Sequence, residues 1–178
     1  AMALRLQQLG ATDRQIVLFD TFAGMTEPTE HDVDVHGEVA QDEFERQQTG
    51  PQSSQWALAT MDEVRANMTS THYPSDKVQL VVGRVEDTIP GKAPDRIALL
   101  RLDTDWYEST RHEMEHLYPR LVPGGVLIVD DYAYWKGSGK AVDEYFEAKR
   151  VRPFLVRIGG GAVAAVKPGL ASADRDLD

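Results

Sequence analysis

Short apolar runs recur along the chain at intervals that leave room for helices between them. They cover residues 16–19, 78–82, 97–102 and 126–129. Runs of this length, separated in part by segments with helical periodicity, are typical of strands in a mainly parallel α/β sheet. The sequence therefore predicts an α/β fold whose functional groups lie where the strands end.

Two of these runs end in aspartates. Asp103 follows the third run, and Asp130 with Asp131 follows the fourth. Open α/β sheets bind ligands at the carboxyl ends of their strands, so these carboxylates can converge. At about 4 Å and an effective dielectric near 20, each pair of like charges costs roughly 4 kcal/mol, so the cluster must take up protons or bind a cation. Oxygen ligands favour Mg²⁺.

Each aspartate also has a simpler interpretation, because Asp is common in the turns that follow strands. Two strand ends with the same chemistry favour the metal site. Asp105 is the less certain member: it either faces the same crevice or caps a helix that begins near Ser109, and we favour the cap.

Length and composition limit the other possibilities. The 178 residues predict a single domain over residues 1–168 with a disordered tail at 169–178. A net charge of −10 with no basic run argues against a nucleic-acid partner. The absence of cysteine excludes disulfides, and no apolar run reaches the roughly 18 residues that span a bilayer. We expect a cytoplasmic protein with a small-molecule partner and no membrane contact.

Local signals predict three helix starts and a hairpin. Thr60 with Glu63 and Thr110 with Glu113 have the spacing of capping boxes, and Ser138 can cap a third helix. Residues 154–158 and 162–166 flank three glycines and predict an antiparallel hairpin at one edge of the sheet. The polar connection over residues 26–55 is either a functional lid or disordered.

His112, Glu113 and His116 match a zinc-protease motif. At 100° per residue, both histidines fall about 160° from Met114, which heads the apolar stripe of the same helix. They then face water instead of a cleft, so we reject the zinc-protease interpretation.

Four segments together resemble the macrocin O-methyltransferase family. They are LFDTFAGM at 18–25, GRVEDTIP at 83–90, the two aspartate segments, and KAVDEYF at 140–146. The resemblance implies a Rossmann-like class I methyltransferase fold, with a mainly parallel sheet that ends in an antiparallel hairpin. It also implies that S-adenosylmethionine and Mg²⁺ are used to methylate a hydroxyl of a sugar or glycosylated natural product, as in antibiotic biosynthesis.

The resemblance assigns roles to residues. Asp103, Asp130 and Asp131 would hold the metal, and Asp103 would also be the base that takes the acceptor proton. The cofactor ribose would lie at Asp20 and Thr21, and the adenine would lie at the turn made by Gly83, Arg84, Val85 and Glu86.

One element of the family pattern is absent. The family's first strand and glycine-rich turn precede the helix at which this chain begins. We therefore expect the strands ending at Asp20 and Asp103 either to pair directly or to leave exposed edges, which promote homo-oligomers. Two other functions stay open: a truncated or degenerate domain without cofactor, and a glycosyltransferase using Asp103-Thr104-Asp105 as its metal motif, which leaves Asp130 and Asp131 without a role.

Overall fold

The structure, a computed structural model, describes residues 1–169, in which helices and strands mostly alternate. The helices are α1 (Met2–Gln8), α2 (Ala40–Gln47), α3 (Met61–Ser70), α4 (Val85–Thr88), α5 (Tyr107–Leu117) and α6 (Lys136–Lys149). The strands are β1 (Ile16–Asp20), β2 (Gln48–Gly50), β3 (Ser53–Ser54), β4 (Val78–Val82), β5 (Ile97–Leu102), β6 (Leu121–Val129), β7 (Val156–Gly159) and β8 (Ala162–Val166). The predicted tail lies outside the described residues from 170 onward.

The chain divides into two compact units. Unit 1 comprises residues 1–27 and 41–93, and unit 2 comprises, of the described residues, 28–40 and 94–169. None of the helices within residues 1–169 is both long and apolar enough to cross a bilayer.

Unit 1 is built around a parallel pair of strands. β1 pairs with β4 in a register that runs from Ile16 opposite Val78 to Asp20 opposite Val82. Ile16 is buried with Ala3 of α1 and with Tyr73, whose hydroxyl donates to the Arg14 carbonyl over 2.7 Å. The capping box of α3 is confirmed, because Thr60 and Glu63 exchange both expected hydrogen bonds.

Unit 2 contains a four-stranded sheet in the order β5-β6-β8-β7. β5 and β6 are parallel, and the ladders of β8 with β6 and with β7 are antiparallel. The predicted hairpin is therefore confirmed as β7 and β8. Leu127 and Val129 of β6 are 1 % exposed, and Val142 of α6 is fully buried.

The expected α/β class is confirmed, but its strands form separate sheets instead of one. β1 bonds to β4, and β5 bonds to β6. Among residues 1–169, no ladder joins β1 to β5, so the direct pairing that we considered does not form. Among the described residues, β1 and β5 each have a ladder along one edge only, and the exposure of their other edges stays a prediction.

The predicted caps of α5 and α6 are wrong. Thr110 lies inside α5, which begins at Tyr107, and Ser138 lies inside α6, which begins at Lys136. The residues at the two N-cap positions are tryptophans, and neither provides a side-chain cap bond. The helices therefore begin about one turn or less before the cap signals in the sequence.

The first N–H groups of both helices donate instead to one remote segment, residues 28–40. The Asp32 carboxylate accepts a hydrogen bond from the Tyr107 N–H at 2.7 Å. The Val33 carbonyl accepts one from the Lys136 N–H at 2.9 Å. Helix N-termini leave several N–H groups without partners, and acceptors from elsewhere in the chain satisfy them as well as local ones.

The connection over residues 26–55 is therefore structured, and the disordered alternative is wrong. Asp32 is completely buried and Asp34 is 3 % exposed. The same stretch contains α2, whose Phe44 is also completely buried. A few buried positions are enough to order a polar segment. Its role as a lid stays a prediction.

Candidate metal and cofactor sites

The carboxyl ends of β5 and β6 lie side by side. The Asp130 N–H donates to the Leu102 carbonyl over 2.9 Å, which continues the parallel ladder by one residue beyond Val129. The residues that follow the two strands are therefore neighbours, as the alternation of apolar runs predicted.

Three carboxylates converge at this edge. Asp103, Asp105 and Asp131 each offer an oxygen, and the three atoms lie within 4.8 Å of one another. Two oxygens bound to one Mg²⁺ at about 2.1 Å each can be at most about 4.2 Å apart. The carboxylate oxygens would therefore have to move together by only a few tenths of an ångström, which small side-chain rotations allow. The donor set is all oxygen, and it fits a hard divalent cation.

Asp105 belongs to this cluster. It does not cap α5, so the cap that we favour from the sequence is wrong. Its backbone has φ of +65°, which is unusual for a residue with a Cβ. The N-cap position belongs to Trp106, and the Tyr107 N–H is bonded to Asp32. The left-handed turn directs the chain after β5 so that Asp105 lies with Asp131.

The electrostatics of the cluster follow from burial and like charge. Burial, followed by repulsion from Asp131, raises the pKa of Asp105 to about 9. Burial and a hydrogen bond with Asp130 raise the pKa of Asp103 to about 6, against the lowering effect of Arg101. Burial also raises the pKa of Asp131, although its hydrogen bond with Asp105 opposes this. Without a cation, Asp105 holds a proton at neutral pH.

Asp130, the remaining predicted ligand, lies outside this group of three. Its Oδ2 is paired with the Arg101 guanidinium at 3.0 Å, and the same guanidinium is paired with Asp103. The prediction for Asp130 stays a prediction. Sequence reasoning missed Arg101, although a charged residue within an otherwise apolar strand is a signal that could have identified it.

Asp32 is a second residue that sequence reasoning missed. Its Oδ2 accepts hydrogen bonds from the Thr29 N–H and hydroxyl at 2.7 and 2.9 Å, and its Oδ1 accepts from Tyr107. A Cβ at Gly137 would lie 2.1 Å from this Oδ1, so glycine is required there. Asp32 thus fixes the start of α5 two residues after Asp105.

In unit 1, Asp20 and Thr21 follow β1 in a tight turn. The Asp20 Oδ1 accepts from the Phe22 N–H at 2.7 Å, and the Thr21 hydroxyl donates to the Gly24 carbonyl at 2.9 Å. Asp20 is exposed, and its Oδ2 has no protein partner among the described residues. One carboxylate oxygen therefore supports the turn while the other faces outward.

The second predicted cofactor segment lies beside this turn. The Gly83 N–H donates to the Asp20 carbonyl at 3.0 Å, and Gly83 has φ of +132°, a conformation that favours glycine. Val85 is buried, while Arg84 and Glu86 form an ion pair at 3.3 Å. The structure therefore brings all the predicted cofactor residues to one edge of unit 1.

The zinc-protease interpretation remains rejected. The rings of His112 and His116 lie with centroids 4.4 Å apart. Glu113, which would be the base in such a site, is 5 % exposed and accepts a hydrogen bond from the Thr104 hydroxyl at 2.9 Å. Glu113 therefore bonds α5 to the turn after β5, a structural role that accounts for it without a metal site.

The profile of the macrocin-O-methyltransferase (TylF) family matches residues 1–166. The chain is 37 % identical to the 8-demethyl-8-(2,3-dimethoxy-alpha-L-rhamnosyl)-tetracenomycin-C 4'-O-methyltransferase of Streptomyces olivaceus, over 72 % of this chain and 46 % of that enzyme. It is 31 % identical to the mycinamicin III 3''-O-methyltransferase of Micromonospora griseorubida, over 86 % of this chain and 57 % of that one.

Solved structures agree on the fold. The O-methyltransferase NovP superposes with a TM-score of 0.79 at 28 % identity, covering 94 % of this chain and 66 % of that one. The O-methyltransferase TomG from Streptomyces achromogenes, solved with SAM, superposes with a TM-score of 0.51 at 14 % identity, over 93 % and 79 % of the two chains.

These matches confirm the Rossmann-like class I methyltransferase fold and disfavour the glycosyltransferase alternative. The chain spans about half the length of the two curated relatives, 46 % and 57 %. The family profile nevertheless extends over both units and both groups of candidate residues. The chain belongs to the macrocin O-methyltransferase family.

Proposed function

We propose that the protein is an S-adenosylmethionine-dependent O-methyltransferase that uses a divalent cation, Mg²⁺, and acts on a hydroxyl of a sugar in a glycosylated natural product. The observation that carries the metal part is the convergence of Asp103, Asp105 and Asp131 within 4.8 Å. The acceptor class is supported by the relatives, whose names describe methylation of glycosylated antibiotics.

The cation would be held by Asp103, Asp105 and Asp131, with Asp130 as the fourth nearby carboxylate. Once bound, it would act as a Lewis acid and lower the pKa of the acceptor hydroxyl. Asp105 must lose its proton before it can be a ligand, because its pKa is about 9 in the cation-free protein. Cation binding is therefore expected to release protons.

Asp103 is the proposed base. In the cation-free protein its pKa is about 6, and a bound cation would lower it, so at neutral pH Asp103 would be ionised and able to accept a proton. It is the most exposed member of the three carboxylates, so an acceptor can reach it. Asp103 would take the proton of the acceptor hydroxyl, and the cofactor, when bound, would supply the methyl group.

The cofactor would bind unit 1 at Asp20, Thr21, Gly83, Arg84, Val85 and Glu86. The outward Oδ2 of Asp20 can accept hydrogen bonds from ribose hydroxyls, which is a common role for a carboxylate after a strand of this fold type. Since Arg84 and Glu86 neutralise each other, we expect the adenine to contact the backbone of this turn.

Thermal shift of the 178-residue chain tests this function at little cost. S-adenosylhomocysteine, UDP-glucose and Mg²⁺ are added separately. The first and third should raise the melting temperature, because a ligand at 100 times its dissociation constant adds about 2.7 kcal/mol. Stabilisation by UDP-glucose alone would contradict the proposal. No response to S-adenosylhomocysteine would favour a domain that does not bind cofactor.

A further inference from the structure

Arg101 is a charged residue in a strand, β5, whose other residues are apolar. Its neighbours Leu100 and Leu102 are buried at 6 % and 2 % exposure. The Arg101 side chain projects to the other face of β5, where it remains 38 % exposed. There its guanidinium lies between the carboxylates that follow β5 and β6.

The guanidinium bridges Asp103 and Asp130. Nη1 is paired with the Oδ2 of Asp103, and Nη2 is paired with the Oδ2 of Asp130 at 3.0 Å. Asp103 is also one of the three residues that offer an oxygen to a cation. Arg101 therefore contacts both a proposed metal ligand, Asp103, and a neighbouring aspartate outside the group of three, Asp130.

We propose that Arg101 is the internal counter-cation of the carboxylate cluster and lowers its affinity for a divalent cation by competition. Its single charge compensates Asp103 and Asp130 when no cation is bound. A divalent ion bound by Asp103 would lie close to the guanidinium and be repelled by it, so Arg101 and the ion compete for this carboxylate. This inference rests on the metal site of the proposed function.

The opposite role would give the opposite result. If Arg101 mainly oriented Asp103 and Asp130 for binding, its removal would weaken the site. Arg101→Met keeps most of the apolar stem and removes the charge, whereas Arg101→Lys keeps the charge. Arg111 offers a matched control, because its guanidinium also bridges two carboxylates, those of Glu108 and Glu115, both at 2.9 Å.

Calorimetric titration of the full chain with Mg²⁺ alone, at low ionic strength, tests the inference. We expect Arg101→Met to bind Mg²⁺ about tenfold more tightly than the wild type, since a repulsive charge is removed. Arg101→Lys and Arg111→Met should bind with nearly wild-type affinity. Unchanged or weaker binding by Arg101→Met would overturn the competition.

A second measurement uses the unmodified sequence, so it does not depend on how Arg101→Met folds. In ¹⁵N-arginine-labelled protein, the Arg101 Nε resonance, assigned with Arg101→Lys, should move on Mg²⁺ addition while that of Arg111 stays in place. An unmoved Arg101 signal at saturating Mg²⁺ would overturn the inference alone. A wild type that binds no Mg²⁺ would overturn the metal site of the proposed function, and this inference with it.

Discussion

The two units end their parallel strands in aspartates, but the surroundings of those aspartates differ. In unit 1, Asp20 follows β1 alone, with one oxygen bonded to its own turn. In unit 2, Asp103, Asp105, Asp130 and Asp131 share one edge with Arg101, and the pKa values of Asp103, Asp105 and Asp131 are raised. Asp20 supports its turn whether or not a ligand binds, whereas the carboxylates of unit 2 need protons or a cation to offset their like charges.

Unit 2 also contains a buried carboxylate that is fully satisfied, and it gives the largest expected effect on stability. Asp32→Ala removes the acceptor of three hydrogen bonds at the start of α5 and in the 28–40 segment. We expect a loss of about 3 kcal/mol in the free energy of unfolding.

Urea denaturation measures this loss, with Asp95→Ala as the control at an exposed position. The control should change the unfolding free energy by less than about 0.5 kcal/mol. Equal effects of the two substitutions would mean that Asp32 does not hold the helix start.

The difference between the two units predicts that Asp20 binds the cofactor and has no part in metal binding. Asp20→Ala should weaken binding of S-adenosylhomocysteine at least tenfold, or about 1.4 kcal/mol, because the ribose acceptor is lost. Mg²⁺ binding should not change. Calorimetry with both ligands tests this, and Asp13→Ala is a control at an exposed aspartate of the same unit. Wild-type affinity in Asp20→Ala would break the assignment.

The raised pKa of Asp105 predicts that the stability of the folded chain depends on pH. With EDTA, the folded state keeps a proton that the unfolded state has lost between about pH 4 and about pH 9, so stability falls as pH rises through this window. The slope for one proton is at most about 1.4 kcal/mol per pH unit.

Melting temperatures measured between about pH 6 and about pH 8.5 should therefore decline, within the window where the two states differ in bound protons. Asp105→Asn should flatten the decline, and Asp95→Asn should leave it as it is. A wild type whose melting temperature rises over this range would contradict the assignment of the buried proton.

The sequence predicted what depends on local patterns and missed what depends on contacts between distant segments. The strand ends carrying Asp103 and Asp131 follow from apolar runs, and the Thr60 cap from a four-residue spacing. The acceptors at the starts of α5 and α6 lie about 75 positions or more upstream. No local sequence pattern predicts contacts over that separation. The position of Asp105 depends on a left-handed backbone conformation, which the sequence predicts only where glycine is present.

The central claim is that the aspartates of unit 2 form a divalent-cation site, and calorimetric titration with Mg²⁺ tests it most directly. The wild-type chain should show saturable binding of one ion with proton release, and Asp131→Asn should abolish it while Asp95→Asn does not. A wild type without saturable binding at millimolar Mg²⁺, or an Asp131→Asn variant with wild-type affinity, would contradict the claim.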